Sequence, residues 1–302
     1  MPEGVVVVDW GTSSFRGWLM SADGTTLAES RGGEGMLHCA ATGFAPVLSD
    51  HLAKLGAPEG APVLICGMAG ARQGWVEAPY LKVPTRLDAL HEGAVRIDAP
   101  GDVRILPGIA QADANRPDVM RGEETQLLGV TEADFTGPVC IPGTHSKWVS
   151  IDDGRVVEFS TYMTGELFSV IAEHSILAHA VDTAGPTPAD SPAFREGLDT
   201  ATMAPTALTA SLFRLRAAQL LGFEQRADGA ARLSGLLIGT ELADAARRFG
   251  APRQVRLIGT GALGRLYEMA LAAQGLDVTT VDAEQASRLG LAKAAARIWG
   301  AT

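Results

Sequence analysis

An α/β fold is what the sequence predicts, on three observations. Short apolar runs rich in Val, Ile and Leu recur along the chain, each bounded by Gly, Pro or Asp. Between and after them lie longer segments whose apolar residues return at helical spacing. At 302 residues and 46% hydrophobic content, the chain can bury one large core or two of ordinary size.

The runs Val5–Val8, Arg16–Met20, Val63–Ile65, Val103–Leu106, Val139–Ile141, Trp148–Ile151, Val255–Ile258 and Val278–Val281 read as strands. Helical spacing marks Glu166–Val181, Leu212–Leu221, Gly235–Arg248, Arg265–Ala273 and Gln285–Trp299, with a shorter acidic-headed helix over Glu123–Gly129. The interval TAGPTPADSPAF, Thr183–Phe194, reads as a loop excursion outside the core.

Charge narrows the function classes. With 25 basic and 35 acidic side chains the net charge is −10, so the average surface repels nucleic acid, and an anionic substrate needs a locally basic site. Cys39, Cys66 and Cys140 lie far apart without CxxC or Cys/His ligand spacing, which argues against a disulfide framework and a zinc site and for a reducing compartment. No basic leader precedes the opening apolar run, and no stretch approaches the roughly 18 apolar residues a membrane span needs. The expectation is a cytoplasmic protein with no membrane partner.

Two segments share a design. VVVVDWGTSSFRGWLMSADG opens the chain, and GPVCIPGTHSKWVSIDDG repeats it from Gly137: a strand, a Gly-Thr break with small polar residues, then a second strand ending at Asp-Gly. A hairpin turn of this kind aims backbone N–H groups and hydroxyls one way, as a nest for phosphate oxygens. Gly11, Thr12 and Ser13 form the first such turn, and Gly143, Thr144 and His145 the second. Either alone is an ordinary tight hairpin; the shared pattern points to two similar halves. Asp9, before the first turn, is a carboxylate suited to a hydrated Mg²⁺ bridging phosphates, whereas the second turn has Ile141-Pro142 there and His145 and Lys147 as donors to an anionic chain. Alternation along its strand can instead direct Lys147 to a surface carboxylate.

A third glycine-rich element, LIGTGALG, runs from Leu257 to Gly264 between a strand and a helix. Read literally, Gly259, Gly261 and Gly264 with Asp282 downstream match a dinucleotide fingerprint. Too little chain follows Asp282 to complete such a sheet, and that reading leaves both hairpins unexplained. A glycine turn opening a helix also lets the adenine or ribose of a mononucleotide lie against backbone.

The stretches DWGTSSFRGWLM, CGMAGARQGWVEAPYL, MRGEETQLLG, IPGTHSKWV, FSTYMTGELF and LIGTGALG span nearly the whole chain. In their order and residues they resemble the actin, Hsp70 and sugar kinase superfamily, and more closely the 2-dehydro-3-deoxygalactonokinase family. The resemblance implies two RNase H-like domains, residues 1–135 and 136–302, around an ATP and Mg²⁺ cleft, the last helix packing back on the first. It implies transfer of the ATP γ-phosphoryl group to the terminal hydroxyl of 2-dehydro-3-deoxy-D-galactonate, with domain closure to exclude water. The implied partner is a small sugar acid, and a homodimer is an open option.

On that resemblance Asp9 positions Mg²⁺; Gly11, Thr12, Ser13, Gly143, Thr144, His145 and Lys147 cradle the phosphates; Gly259 and Gly261 serve the adenosine. The segment RGEETQLLG is also similar to the Glu-Glu-Ala segment of exopolyphosphatases, which carries a base role to Glu124, with Glu123 as fallback and Glu166 behind both. The alternative is an idle, solvated acidic N-terminus favourable to the helix dipole. For the substrate carboxylate, Arg72 offers a bidentate fork, with Gln73 and Trp75 completing that wall and Arg16 as a second cation. Arg121 adds to this local basic excess. The competing functions are a nucleotide or polyphosphate phosphohydrolase, a kinase for the epimeric 2-dehydro-3-deoxygluconate, and a noncatalytic nucleotide switch, for which no partner-binding module is visible.

Overall fold

The computed structural model of the chain describes residues 4–183, 185, 187–250 and 252–300. Contacts divide it into two units: Met1–Thr136 with Ile151–Glu158 and Ala283–Thr302, and Gly137–Ser150 with Phe159–Asp282.

In the first unit β1 (Val5–Trp10) turns back into β2 (Phe15–Met20), pairing Asp9 with Arg16, and β3 (Thr26–Gly32) extends the antiparallel set. Helices α1 (Met36–Thr42) and α2 (Phe44–Leu55) lead to β4 (Val63–Gly67), parallel to β1. The short strands β5 (Tyr80–Lys82), β6 (Thr85–Arg86) and β7 (Val95–Arg96) precede β8 (Val103–Ile105), which is parallel to β4. The sheet order is β3-β2-β1-β4-β8-β7, and β9 (Gly108–Gln111) and β10 (Asp118–Met120) form a small sheet with β5. Helix α3 (Glu123–Val130) follows. Val5 to Val8 are all fully buried, so β1 is covered on both faces and its unbroken β-branched run is what that place requires.

The second unit begins with β11 (Gly137–Ile141), β12 (Ser146–Asp152) and β13 (Arg155–Tyr162), of which residues 151–158 group with the first unit, and α4 (Thr164–His174), α5 (Pro192–Met203), α6 (Leu208–Leu220) and α7 (Arg226–Phe249) follow. Then β14 (Gln254–Ile258), α8 (Gly261–Ala273) and β15 (Asp277–Val281) complete it, with β14 parallel to both β11 and β15. The order β13-β12-β11-β14-β15 repeats β3-β2-β1-β4-β8, so the hairpin repeat of the sequence is the start of a repeated five-stranded arrangement. Helix α9 (Ala283–Trp299) groups by contacts with the first unit.

Every strand predicted from the sequence is present, most of them slightly longer. The helices needed more correction. The expected Glu166–Val181 helix stops at His174 because the Ser175 hydroxyl bonds backbone on both sides, donating to Ile171 O at 2.6 Å and accepting from Leu177 N at 3.0 Å. A separate 3₁₀ turn, Ile176–His179, follows. Helices α1 and α2 were not predicted; both are short, and Gly43, at φ +83°, separates them.

The Thr183–Phe194 excursion ends differently from expectation. Ala184 and Pro186 lie outside the described residues, but Pro192 opens α5, where its missing N–H costs nothing. Phe194 is fully buried among Leu198, Leu242 and Tyr267. Phe194→Ala is therefore expected to destabilise the protein by about 3–5 kcal/mol, readable as a fall in the urea midpoint. An unchanged midpoint would return Phe194 to the surface loop.

Candidate active site

The first turn is held from behind. The N–H groups of Met36 and Leu37, at the start of α1, donate to Gly11 O (3.0 Å) and Thr12 O (3.1 Å), and Trp10 Nε1 donates to Glu34 O at 2.8 Å. Gly35 makes this approach feasible, because a Cβ there would lie 2.5 Å from the Ser13 backbone. With its carbonyls taken, the turn presents the exposed residues Thr12 and Ser13, whose N–H groups have no partner among the described residues. That is the geometry of an anion nest.

Asp9 lies just before this turn, its side chain 18% exposed, with the Arg16 guanidinium 3.8 Å away. A Cβ on Gly67 would lie 2.7 Å from Trp10 O and 3.6 Å from Asp9 Oδ1, and a Cβ on Gly122 would lie 3.5 Å from the Gly67 Cα. Both glycines have positive φ, +90° and +107°, which disfavours a side chain at either, and at Gly67 space excludes one as well. These approaches bring the start of α3 beside the end of β1. Burial pushes the Asp9 carboxyl above its ordinary range, Arg16 and a hydrogen bond from Ser287 oppose that, and the charges of Glu123 and Glu284 add to it. A cation at Asp9 would relieve this excess of negative charge. Among the described residues no cluster of three metal-ligating side chains occurs. The donor set fits Mg²⁺, which keeps most of its waters and takes one or two carboxylates plus substrate phosphates.

The two glutamates heading α3 have different surroundings. Glu123 is half-buried and accepts from Arg121 N at 3.0 Å. Glu124 is 1% exposed; both its oxygens accept from Gly122 N, at 2.9 and 2.8 Å, and Thr125 Oγ1 donates to Oε1 at 3.2 Å. Burial, then the Glu123 charge, pushes the Glu124 carboxyl up to about 8. The solvated, idle N-terminus considered for this segment does not describe Glu124. A buried carboxyl tuned near neutral pH is a signature of functional sites.

In the second unit the corresponding turn is also held by a helix start. Glu166 N, in α4, donates to Thr144 O at 2.9 Å, and a Cβ on Gly165 would lie 2.5 Å from Gly143 O. Thr144 and His145 are exposed, and His145 Nε2 hydrogen-bonds Glu166 Oε2, which fixes the imidazole's direction. Lys147 is buried and donates to His145 O at 3.3 Å, so it braces the turn.

A cavity of about 350 Å³ adjoins this turn, lined by Gly143, Thr144, Phe168, Leu237, Leu263 and Tyr267 among others. Its size and apolar walls with a few polar groups suit a small organic ligand. Gly259 and Gly261 do not line it; α8, which Gly261 begins, does, through Leu263, Leu266 and Tyr267. Gly264 packs against Gly259, where a Cβ would lie 3.1 Å from the backbone.

The expected carboxylate-binding wall divides. Arg72 and Gln73 are exposed and have no hydrogen bond or ion pair among the described residues, whereas Trp75, partly buried, packs on Trp10 and Phe44 against the core. Arg121 donates to Ala78 O at 2.8 Å and lies 4.3 Å over the Tyr80 ring, bracing the same loop from beneath. The sequence reading had no signal for Ser287 as a partner of Asp9, because the two are distant in the chain. Thr164 and Gly165 were inside the quoted FSTYMTGELF stretch without an assigned role.

A sequence model described as 2-keto-3-deoxy-galactonokinase matches residues 9–294. Over 295 residues the chain is 52% identical to a Rhizobium meliloti (strain 1021) protein named "Probable 2-dehydro-3-deoxygalactonokinase DgoK1", covering 97% of this chain and 96% of that one. It is 34% identical over 288 residues to the 2-dehydro-3-deoxygalactonokinase of Escherichia coli (strain K12), covering 95% of each. A crystal structure from Sinorhizobium meliloti, of a protein assigned the same kinase name, superposes with a TM-score of 0.95 at 51% identity, over 98% of this chain and 100% of that one. The activator of 2-hydroxyisocaproyl-CoA dehydratase from Clostridium difficile, with bound ADPNP, shares the fold at 15% identity and a TM-score of 0.52, over 96% and 93% of the chains. That second likeness is one of α/β fold alone. Identity at the level of the Rhizobium and Escherichia proteins along the whole length is a relation of family and not of fold alone: the chain belongs to the 2-keto-3-deoxy-galactonokinase family.

Proposed function

We infer that the protein phosphorylates 2-dehydro-3-deoxy-D-galactonate with ATP, giving the 6-phosphate and ADP, a step of D-galactonate catabolism. The observation that carries this reading is the family match along residues 9–294, in a chain that keeps both phosphate turns, Asp9 and the Glu123-Glu124 pair.

Each residue then has a task. The exposed N–H groups and hydroxyls of Thr12 and Ser13, and the turn Gly143–His145, bind phosphate oxygens. The cavity beside Phe168 and Tyr267 takes the adenosine. Arg72 forks onto the substrate carboxylate, with Arg16 a second cation near the phosphates. Glu124, with Glu123 as the alternative, accepts the proton of the terminal hydroxyl as its oxygen bonds the γ-phosphorus and the bond to the β-phosphate oxygen breaks. Asp9 would hold Mg²⁺, which when bound neutralises charge on the β- and γ-phosphates. Alignment and charge stabilisation supply most of the rate in such a reaction.

Among the described residues no helix is long and apolar enough to cross a membrane. Cys39, Cys66 and Cys140 are free and buried, which accords with the cytoplasm as the proposed location.

ADP release from Mg·ATP, measured with the galactonate-derived deoxy sugar acid, its gluconate epimer and D-galactonate in parallel, tests the reading. Turnover dependent on the first is expected; faster turnover with the epimer would reassign the substrate, and ADP release without any sugar acid would favour the phosphohydrolase. Asp9→Asn is expected to lower kcat about a hundredfold and to raise the Mg²⁺ concentration for half-maximal rate. Equal Mg²⁺ dependence in the variant would remove Asp9 from that role.

A further inference from the structure

We propose that Glu241 is the positioning residue that locks the second phosphate turn to the wall of the nucleotide cavity and thereby sets the affinity for ATP. This rests on the reading of that cavity as the nucleotide site.

Glu241 lies in the middle of α7, 2% exposed. Its carboxylate receives four donors from three separate segments. Ser146 Oγ at 2.6 Å and Trp148 Nε1 at 2.9 Å come from β12, immediately behind the turn. Thr164 Oγ1 comes from the first residue of α4, and Tyr267 OH, at 2.6 Å, from α8. Oε2 accepts from the three hydroxyls and Oε1 from the indole.

None of these donors carries a charge, so the group is not half of an ion pair. Burial pushes its carboxyl above the ordinary range, and the four hydrogen bonds oppose that. Burying a carboxylate costs free energy that its hydrogen bonds must offset. What the carboxylate adds is geometry, because four directional bonds fix three elements relative to one another.

Those elements are the ones a nucleotide touches. Thr164 and Tyr267 line the cavity. Next to Thr164, Gly165 packs on Gly143 O and Glu166 N donates to Thr144 O, so α4 carries the turn's backbone with it. Displacing the carboxylate shifts the phosphate turn and the cavity wall together. Asp9, Arg72 and the α3 glutamates lie in the other unit and do not share this network.

Glu241→Gln keeps the volume and removes one acceptor. If the amide oxygen keeps the hydroxyls, the amide nitrogen opposes the Trp148 N–H, a donor that cannot rotate away. The test is calorimetric binding of ATP together with steady-state kinetics for wild type, Glu241→Gln, Tyr267→Phe and Trp148→Phe. Expected is a rise of about tenfold in Kd and KM for ATP in Glu241→Gln, smaller rises in the single-donor variants, and a KM for the sugar acid within about twofold of wild type. A folded Glu241→Gln protein with unchanged ATP affinity, or with both KM values raised together, overturns the proposal. If that variant does not fold, Tyr267→Phe and Trp148→Phe decide by the same criterion. Wild-type protein that binds no ATP would overturn the nucleotide reading itself, a result distinct from binding that is indifferent to residue 241.

Discussion

Glu124→Gln is expected to lower kcat at least about a hundredfold while making the protein harder to unfold above neutral pH. The two effects have one cause. A carboxyl pushed up to about 8 is poised as a base at working pH, and the same burial penalises its charged form in the folded protein. The unfolded chain loses that proton near 4.5, the folded protein only near 8. Stability therefore falls as pH rises between these values, and above about 8 the loss is complete, on the order of 5 kcal/mol. Gln carries no proton to lose, so the difference in melting temperature between variant and wild type should widen from pH 5 to about pH 8 and then level off. In wild type kcat/KM should rise with pH through about 8. A variant with kcat within about tenfold of wild type would exclude Glu124 as the base and leave Glu123, whose own Gln variant should then show the loss.

Gly290→Ala should destabilise the protein by about 3 kcal/mol and reduce activity, although residue 290 touches no substrate in this account. A Cβ there would lie 1.8 Å from Thr125 O and 3.1 Å from Gly129 N, and a Cβ on Gly129 would lie 2.0 Å from Ala286 O. These are backbone atoms of packed helices, α3 and α9, which have no flexible side chain to yield. Separating the helices moves Glu123 and Glu124 on α3 relative to Ser287 on α9, the hydrogen-bond donor to Asp9. Lys293, one turn beyond Gly290, donates to Leu128 O at 2.9 Å and to Gly129 O and Thr131 O at 3.2 Å, so the C-terminal end of α3 is held by α9 as well. Urea unfolding and kcat on the same preparation check both parts. A melting temperature within about 2 °C of wild type would contradict so close an approach.

The sequence made the strands and the paired turns legible because both are local. Val5–Val8 needs only its own composition to read as a strand, and GTSS and GTHS need only their own residues to read as turns. The repeat of hairpin design also anticipated two similar halves, and the order of the two sheets repeats accordingly. What sequence left open depends on tertiary approach. Whether Glu124 is solvated or buried is decided by Gly67 and Gly122 drawing α3 against β1, and nothing within RGEETQLLG reports that. Lys147 alternates along its strand as expected, but the turn folds its carbonyl back onto the ammonium. Phe194 was hidden by the prolines around it, which open a helix instead of excluding one. Trp75 was read as a wall of the substrate pocket on its place in the loop, and its stacking on Phe44 is a contact no spacing rule reveals.

Phosphoryl transfer to a sugar acid is tested by following the phosphate itself. Purified protein is incubated with Mg²⁺, ATP and 2-dehydro-3-deoxy-D-galactonate, and the product is examined by ³¹P NMR with proton coupling. Expected is a phosphomonoester coupled to the methylene protons of the terminal carbon, formed in step with ADP. Inorganic phosphate appearing in place of that ester, at a rate indifferent to the sugar acid, would contradict that transfer.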